Sequence, residues 1–235
     1  VQKCIALLMT LLMNLGAAVS AVIQPISLPT LAQSASTYTV GNLTVSLIWD
    51  GSYTVAHKGI TIFRKAYAAV MLDSLLSSSD YEAHSVNTAP LHDAAGNGLK
   101  ITVLHTGPPA NLRQDFLLYE GRDYLLTQAT LCAEEGGTVK SQLYFPPVSI
   151  SQNGQCAGRR PNAGRVFWEV PFDNDAWVTF ETKSLFQKWP NAMKPQPFFK
   201  PDDGAGLILG SVTHDTWKIR NIFEGSWGNI RSLTA

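Results

Sequence analysis

The densest group of chemically capable side chains is His214-Asp215-Thr216-Trp217-Lys218. An imidazole beside a carboxylate has the parts of a general base and its orienting partner. Adjacent strand residues point to opposite faces, however, so His214 and Asp215 cannot readily pair with each other. Asp173 and Asp175 form a second pair of carboxylates, within Pro171-Phe172-Asp173-Asn174-Asp175. Two carboxyl groups placed across a sugar can serve as acid and base. Asp and Asn also bond to their own backbone in reversals, and Pro cannot donate to a sheet ladder. Asp173, Asn174 and Asp175 therefore read as a structural turn. The five histidines, His57, His84, His92, His105 and His214, are scattered singly. Only His105 and His214 fall on expected strands. No Gly-x-Ser-x-Gly elbow, His-Glu-x-x-His or metal-spaced set of ligands occurs. No catalytic residue, metal or cofactor is expected in this chain.

Six tryptophans remain: Trp49, Trp168, Trp177, Trp189, Trp217 and Trp227. An indole face stacks on a sugar ring, but tryptophan on a strand is also ordinary sandwich core. Trp168 and Trp177 read as core. Trp49, Trp217 and Trp227 lie beside turns or polar residues. With Asp50, His214, Asp215 and Lys218 they form the candidate carbohydrate-binding set.

The elements that must carry these residues are strands. In Arg165–Lys183, Val166, Trp168 and Val170 alternate with Phe167 and Glu169. After the Pro-Phe-Asp-Asn-Asp corner, Trp177, Thr179 and Glu181 alternate with Val178, Phe180 and Thr182. A two-residue period in β-branched and aromatic residues marks strands. Leu43 to Trp49, Gly59 to Leu72, Leu99 to His105, Thr138 to Phe145 and Gly206 to Ile219 read likewise. Asp115 to Leu131 is the clearest hairpin, reversing at Glu120-Gly121-Arg122-Asp123, where Gly121 can supply a positive φ. Ser77 to Asp80 and Ser151 to Gly164 read as loops, and the proline-rich Trp189 to Gly206 as an extended connection. Many short strands and no long amphipathic helices point to an all-β antiparallel sandwich.

Hydrophobic residues make up 45% of the 235 and charged residues 15%, a composition with a sizeable core. Formal net charge is +0 with no basic run, so nucleic-acid binding has no electrostatic footprint. Lys3 precedes an apolar run from Ile5 to Ile23. This reads as a secretory signal and leader over residues 1–34, with exits at Val19-Ser20-Ala21 or Ala32-Gln33-Ser34. A membrane anchor is the rival reading, against which stands the missing basic stop-transfer flank. The expectation is a secreted chain, extracellular or periplasmic, without stable membrane insertion. Cys4 leaves with such a signal. Cys132 and Cys156 then remain in an oxidising compartment, where a bridge is the favoured reading and two separate buried thiols the alternative. A bridge would contribute on the order of 3 kcal/mol. Asn42-Leu43-Thr44 is a glycosylation sequon.

Val170-Pro171-Phe172-Asp173-Asn174-Asp175-x-Trp177-Val178 and Gly210-Ser211-x-x-His214-Asp215-Thr216-Trp217-Lys218 resemble the amino-terminal β-sandwich domain of secreted α-galactosidase-like glycoside hydrolases of clan D. Ile48-Trp49-Asp50-Gly51, Ala66 to Val70 before Ser79-Asp80-Tyr81, and the Phe116–Leu131 hairpin fit that pattern more loosely. The resemblance implies a supersandwich of the galactose-mutarotase kind, over residues 35–220. Residues 221–235 would begin a linker to a downstream (β/α)₈ barrel that carries the catalytic aspartates. Nothing in this chain matches that barrel, and the sequence starts with Val1, so the chain reads as a fragment. The expected function is a non-catalytic module that supports binding and hydrolysis of α-galactosides by the missing barrel. A stand-alone carbohydrate-binding module and a small mutarotase- or lyase-like enzyme are the alternatives. The enzyme needs His105 or His214 to face a cleft with a carboxylate beside it.

Overall fold

The computed structural model describes residues 35–133, 139–141, 144–156, 166–169, 181–184, 196–199, 206–210, 212, 221–226 and 229–235. The expected leader lies outside them. So do the turn residues Asp173, Asn174 and Asp175, and the candidates His214, Asp215, Trp217, Lys218 and Trp227. Among the described residues every element longer than one turn is a strand, and the paired strands run antiparallel. No helix among them is long and apolar enough to cross a membrane.

A meander opens the domain: β1 (Ser36–Val40), β2 (Leu43–Leu47), β3 (Tyr53–His57) and β4 (Ile60–Tyr67). Leu43, Val45 and Leu47 are buried, while Thr44 and Ser46 between them are half-buried, as a two-residue period requires. Lys58 and Gly59 both hold positive φ between the paired His57 and Ile60. That is the two-residue reversal whose twist suits a hairpin. Beyond β4 the sheet continues with β11 (Ser149–Cys156), β17 (Asn229–Thr234) and β16 (Ile222–Ser226), giving seven strands in the order β1-β2-β3-β4-β11-β17-β16.

A short ribbon of β5 (Ala69–Met71) and β6 (Leu75–Ser77) leads through a single 3₁₀ turn, Ser78–Asp80, into the second sheet. The Ser77 side chain caps that turn, and the Ser77 amide donates to the Asp80 carboxylate at 2.7 Å. The second sheet has four strands, β7 (Ala83–Asp93), β8 (Gly96–Thr106), β9 (Asn111–Tyr119) and β10 (Leu125–Cys132), in the order β10-β9-β8-β7. Its β9–β10 hairpin is the one expected from the sequence, and Gly121 holds φ +66° in the reversal. A third sheet orders β13 (Glu181–Ser184), β12 (Val166–Glu169), β14 (Gln196–Phe199) and β15 (Gly206–Leu209).

The core lies between the first two sheets. Val45, Leu47, Tyr53 and Phe63 meet Val86, Ile101, Val103, Phe116 and Leu118. The Tyr53 and Phe116 rings stand edge to face with centroids 4.9 Å apart. Each such buried side chain contributes roughly 1.5–3 kcal/mol. Tyr53 satisfies its hydroxyl by donating to the Pro147 carbonyl at 2.8 Å, and Gln114 donates to the same oxygen at 3.0 Å. The all-β sandwich is thus established.

Several local expectations are corrected. The Gly- and Asn-rich stretch from Ser151 is not a loop at its start, because β11 runs to Cys156, with a register shift between Ile150 and Gln155. Pairing with β4, and with β17 at Ser149 and Ile150, outweighs weak local propensity there. The described residues 139–141 and 144–145 are not strand. The backbone there instead accepts bonds from Met71 at Tyr144 and from Ala69 at Pro146. The proline-rich connection contains β14, which pairs with β12 and β15. Residues 221–235 are not a linker. They supply β16 and β17, bury Asn221, Ile230 and Leu233, and tie the Ala235 amide to Val148 at 2.9 Å.

The expected Cys132–Cys156 disulfide is absent. Cys156 packs into the core beneath the seven-stranded sheet. Cys132 ends β10 in the other sheet, with its thiol 3.9 Å from the Thr130 carbonyl.

Candidate functional site

Trp49 and Asp50 sit in the turn between β2 and β3. Trp49 is 56% exposed. It is held on a rigid support. Ile48 donates to the Ser52 carbonyl at 2.8 Å, and Gly51 to the Ile48 carbonyl at 3.1 Å. The Asp50 carboxylate accepts from the Ser52 amide at 3.0 Å and from the Ser52 hydroxyl. Ser78 of the 3₁₀ turn donates to the Gly51 carbonyl at 2.7 Å. Gly51 has φ +76°, and a Cβ there would lie 2.3 Å from the Ser78 carbonyl oxygen and 2.9 Å from His84 Cε1. Only glycine lets the turn rest this closely on its neighbours.

Beneath the turn lies a site that sequence reasoning missed. His84 on β7 faces His105 on β8 in direct register. Their Nδ1 atoms are 2.9 Å apart and their rings meet edge to face. His84 is 7% exposed and His105 2%. His105 Nε2 is buried without a hydrogen-bond partner. An unpaired acceptor is tolerated better than an unpaired donor. The pair is therefore best satisfied when His105 donates its Nδ1 proton to His84 and keeps Nε2 bare. Burial lowers the pKa of both rings, and His84 beside it takes His105 to about 3. Asp50 opposes that shift at His84. Tyr81 tilts against His105 with ring centroids 6.0 Å apart. Its hydroxyl, which donates to the Ala110 carbonyl at 3.0 Å, is pushed up to about 12 chiefly by burial.

The space beside His105 is about 10 Å³, lined by Leu47, Gly51, Ser52, Tyr53, Val103 and Gln114 among others. That is the volume of one water and admits no sugar ring. Among the described residues His105 faces no substrate cleft, so the enzyme reading loses support from that candidate, and His214 lies outside the described residues. Among the described residues no group of three or more His, Cys, Asp or Glu could hold a metal. The signal that could have found the pair is the hairpin itself. His84 and His105 stand equally far from the Asp93–Gly96 reversal, and an antiparallel ladder must place them opposite each other.

At the opposite end of the strands, three loops meet around Asp123. Asn42 donates to its carboxylate at 2.9 Å, and His57 Nε2 lies 3.1 Å from the same oxygen. Asn42 first, then His57, holds the Asp123 carboxyl below its usual range. The sequon asparagine is therefore an exposed loop residue engaged with the neighbouring reversal.

Of the candidate binding set, Trp49 and Asp50 are together in one turn, and the other five residues lie outside the described region. Trp168 is on β12, with only its backbone described, and Trp177 is outside. No family model, curated protein or solved structure matches the chain.

Proposed function

We propose that the chain is a non-catalytic β-sandwich module that binds carbohydrate, of the kind that α-galactosidase-type hydrolases carry beside a catalytic barrel, and that it acts outside the cytoplasm. The observation that carries the reading is Trp49. A large apolar ring exposed to water costs free energy unless something covers it, and an aromatic face held in a rigid turn beside a carboxylate suits a sugar. The ring supplies a stacking surface. The Asp50 carboxylate can accept from sugar hydroxyls without first breaking the fold, because its second oxygen is not used by Ser52. Burial of His84 and His105 in a dry pair argues for binding without turnover on this part of the molecule.

The galactoside class comes from the sequence resemblance. It is tested by passing the chain through gels containing galactomannan and, in parallel, incubating it with a chromogenic α-galactoside. Retardation without hydrolysis supports the reading, and hydrolysis by the purified chain refutes the non-catalytic part. Migration unaffected by galactomannan or by any other polysaccharide refutes the binding part.

A further inference from the structure

The turn that carries Trp49 is seated directly on a pair of titratable groups. Gly51 lies over His84 with no room for a Cβ between them, Ser78 bonds the Gly51 carbonyl, and Asp50 holds Ser52. The two imidazoles face each other through Nδ1 at 2.9 Å, so one proton fits between them and a second does not. We propose that this turn is an acid-released latch: a proton taken up at His84 Nδ1 breaks its bond to His105, and the imidazolium turns to the Asp50 carboxylate that otherwise clamps Ser52.

The step balances simply. Solvent supplies one proton, one imidazole–imidazole hydrogen bond breaks, and an ion pair with Asp50 replaces it. The groups facing the pair fix the direction. Burial opposes charge on both rings, and a charged His84 disfavours charge on His105 of β8. Asp50 from the β2–β3 turn is the group that favours charge on His84. Tyr81, just ahead of β7, faces His105 and remains a neutral phenol throughout, since its pKa is raised. Asp80 and Cys132 act on Tyr81 and not on the pair. His84 thus has two partners, one for each charge state, and the second is the carboxylate that also clamps Ser52. Such a two-partner histidine is how pH biases a bistable element. The proposal concerns the turn itself and needs no sugar.

The test is amide hydrogen exchange on the whole chain between about pH 7.5 and 4, corrected for intrinsic rates. The amides of Ile48, Gly51 and Ser52 report the latch, and those of Ile101 and Phe116 report the core. The expected result is that, as pH falls, the turn amides lose at least about tenfold more protection than the core amides, which report only the global loss of stability. His84→Gln removes the pH step. Asp50→Asn, which can still accept from Ser52, moves it to lower pH. Should His84→Gln fail to fold, ring-proton titration of His84 in the unaltered chain decides, because its midpoint must coincide with the exchange step. Titration of His84 without a change at Ile48, Gly51 and Ser52 overturns the proposal. So does a loss of turn protection no larger than that of the core.

Discussion

The two ends of the sandwich each bring a histidine and an aspartate to the loops, and they do so in opposite solvents. At one end His84 and His105 are sealed under the Trp49 turn, and each takes the other as its partner. At the other, His57 lies against the exposed Asp123 carboxylate, with Asn42 sharing the same carboxylate oxygen. The dry pair is favoured uncharged, since burial penalises the imidazolium. The wet pair favours the charged carboxylate. The two ends therefore differ in electrostatic behaviour, one favouring neutral imidazoles and the other a charged carboxylate.

The largest contrast is expected from two glycines with similar backbones. Gly51 and Gly121 both have positive φ. A methyl group on Gly51 meets the Ser78 backbone, whereas one on Gly121 meets nothing within 4 Å. Gly121→Ala should therefore cost about 1–2 kcal/mol from backbone strain alone. Gly51→Ala should cost more than about 2 kcal/mol, because the 3₁₀ turn must also move. Urea denaturation of both variants measures the difference, and equal losses would mean that the dry end is not tightly packed.

Next in size is the response to acid. His105 has a folded pKa of about 3 against an ordinary 6.5. The unfolded chain binds more protons in that interval, so the stability from the neutral pair is complete above 6.5 and is lost as pH falls toward 3. Asp123 has a lowered pKa, so its contribution persists above the ordinary carboxylate value of 3.8 and is lost only below it. Urea midpoints followed against pH should begin to drop near 6.5, and His84→Gln should flatten that upper part. The smallest effect belongs to His57→Gln. It should barely move the midpoint, and the residual change should vanish in high salt, as for exposed ion pairs.

The strands that carry the core were legible because their alternation is strong. Leu43, Val45 and Leu47 point inward as their spacing demands, and the β9–β10 hairpin was marked by Gly121. Trp49 was legible as an exposed aromatic because polar turn residues follow it. The His84–His105 pair was not, because β7 is a polar strand with little alternation and the pairing exists only once two strands are in register. β11 and β17 were missed for a related reason. Their neighbours are distant in sequence, so tertiary pairing decides their conformation. The assumed disulfide failed because compartment and spacing say nothing of which sheet each cysteine joins.

The most direct measurement is a calorimetric titration of the chain with an α-galactoside oligosaccharide, repeated with Trp49→Ala. Removing an exposed side chain in an otherwise intact turn should change stability by no more than about 0.5 kcal/mol. Saturable heat from the unaltered chain, lost in the folded Trp49→Ala variant, is the result predicted. Absence of binding by the unaltered chain, or equal binding by both, would contradict the account.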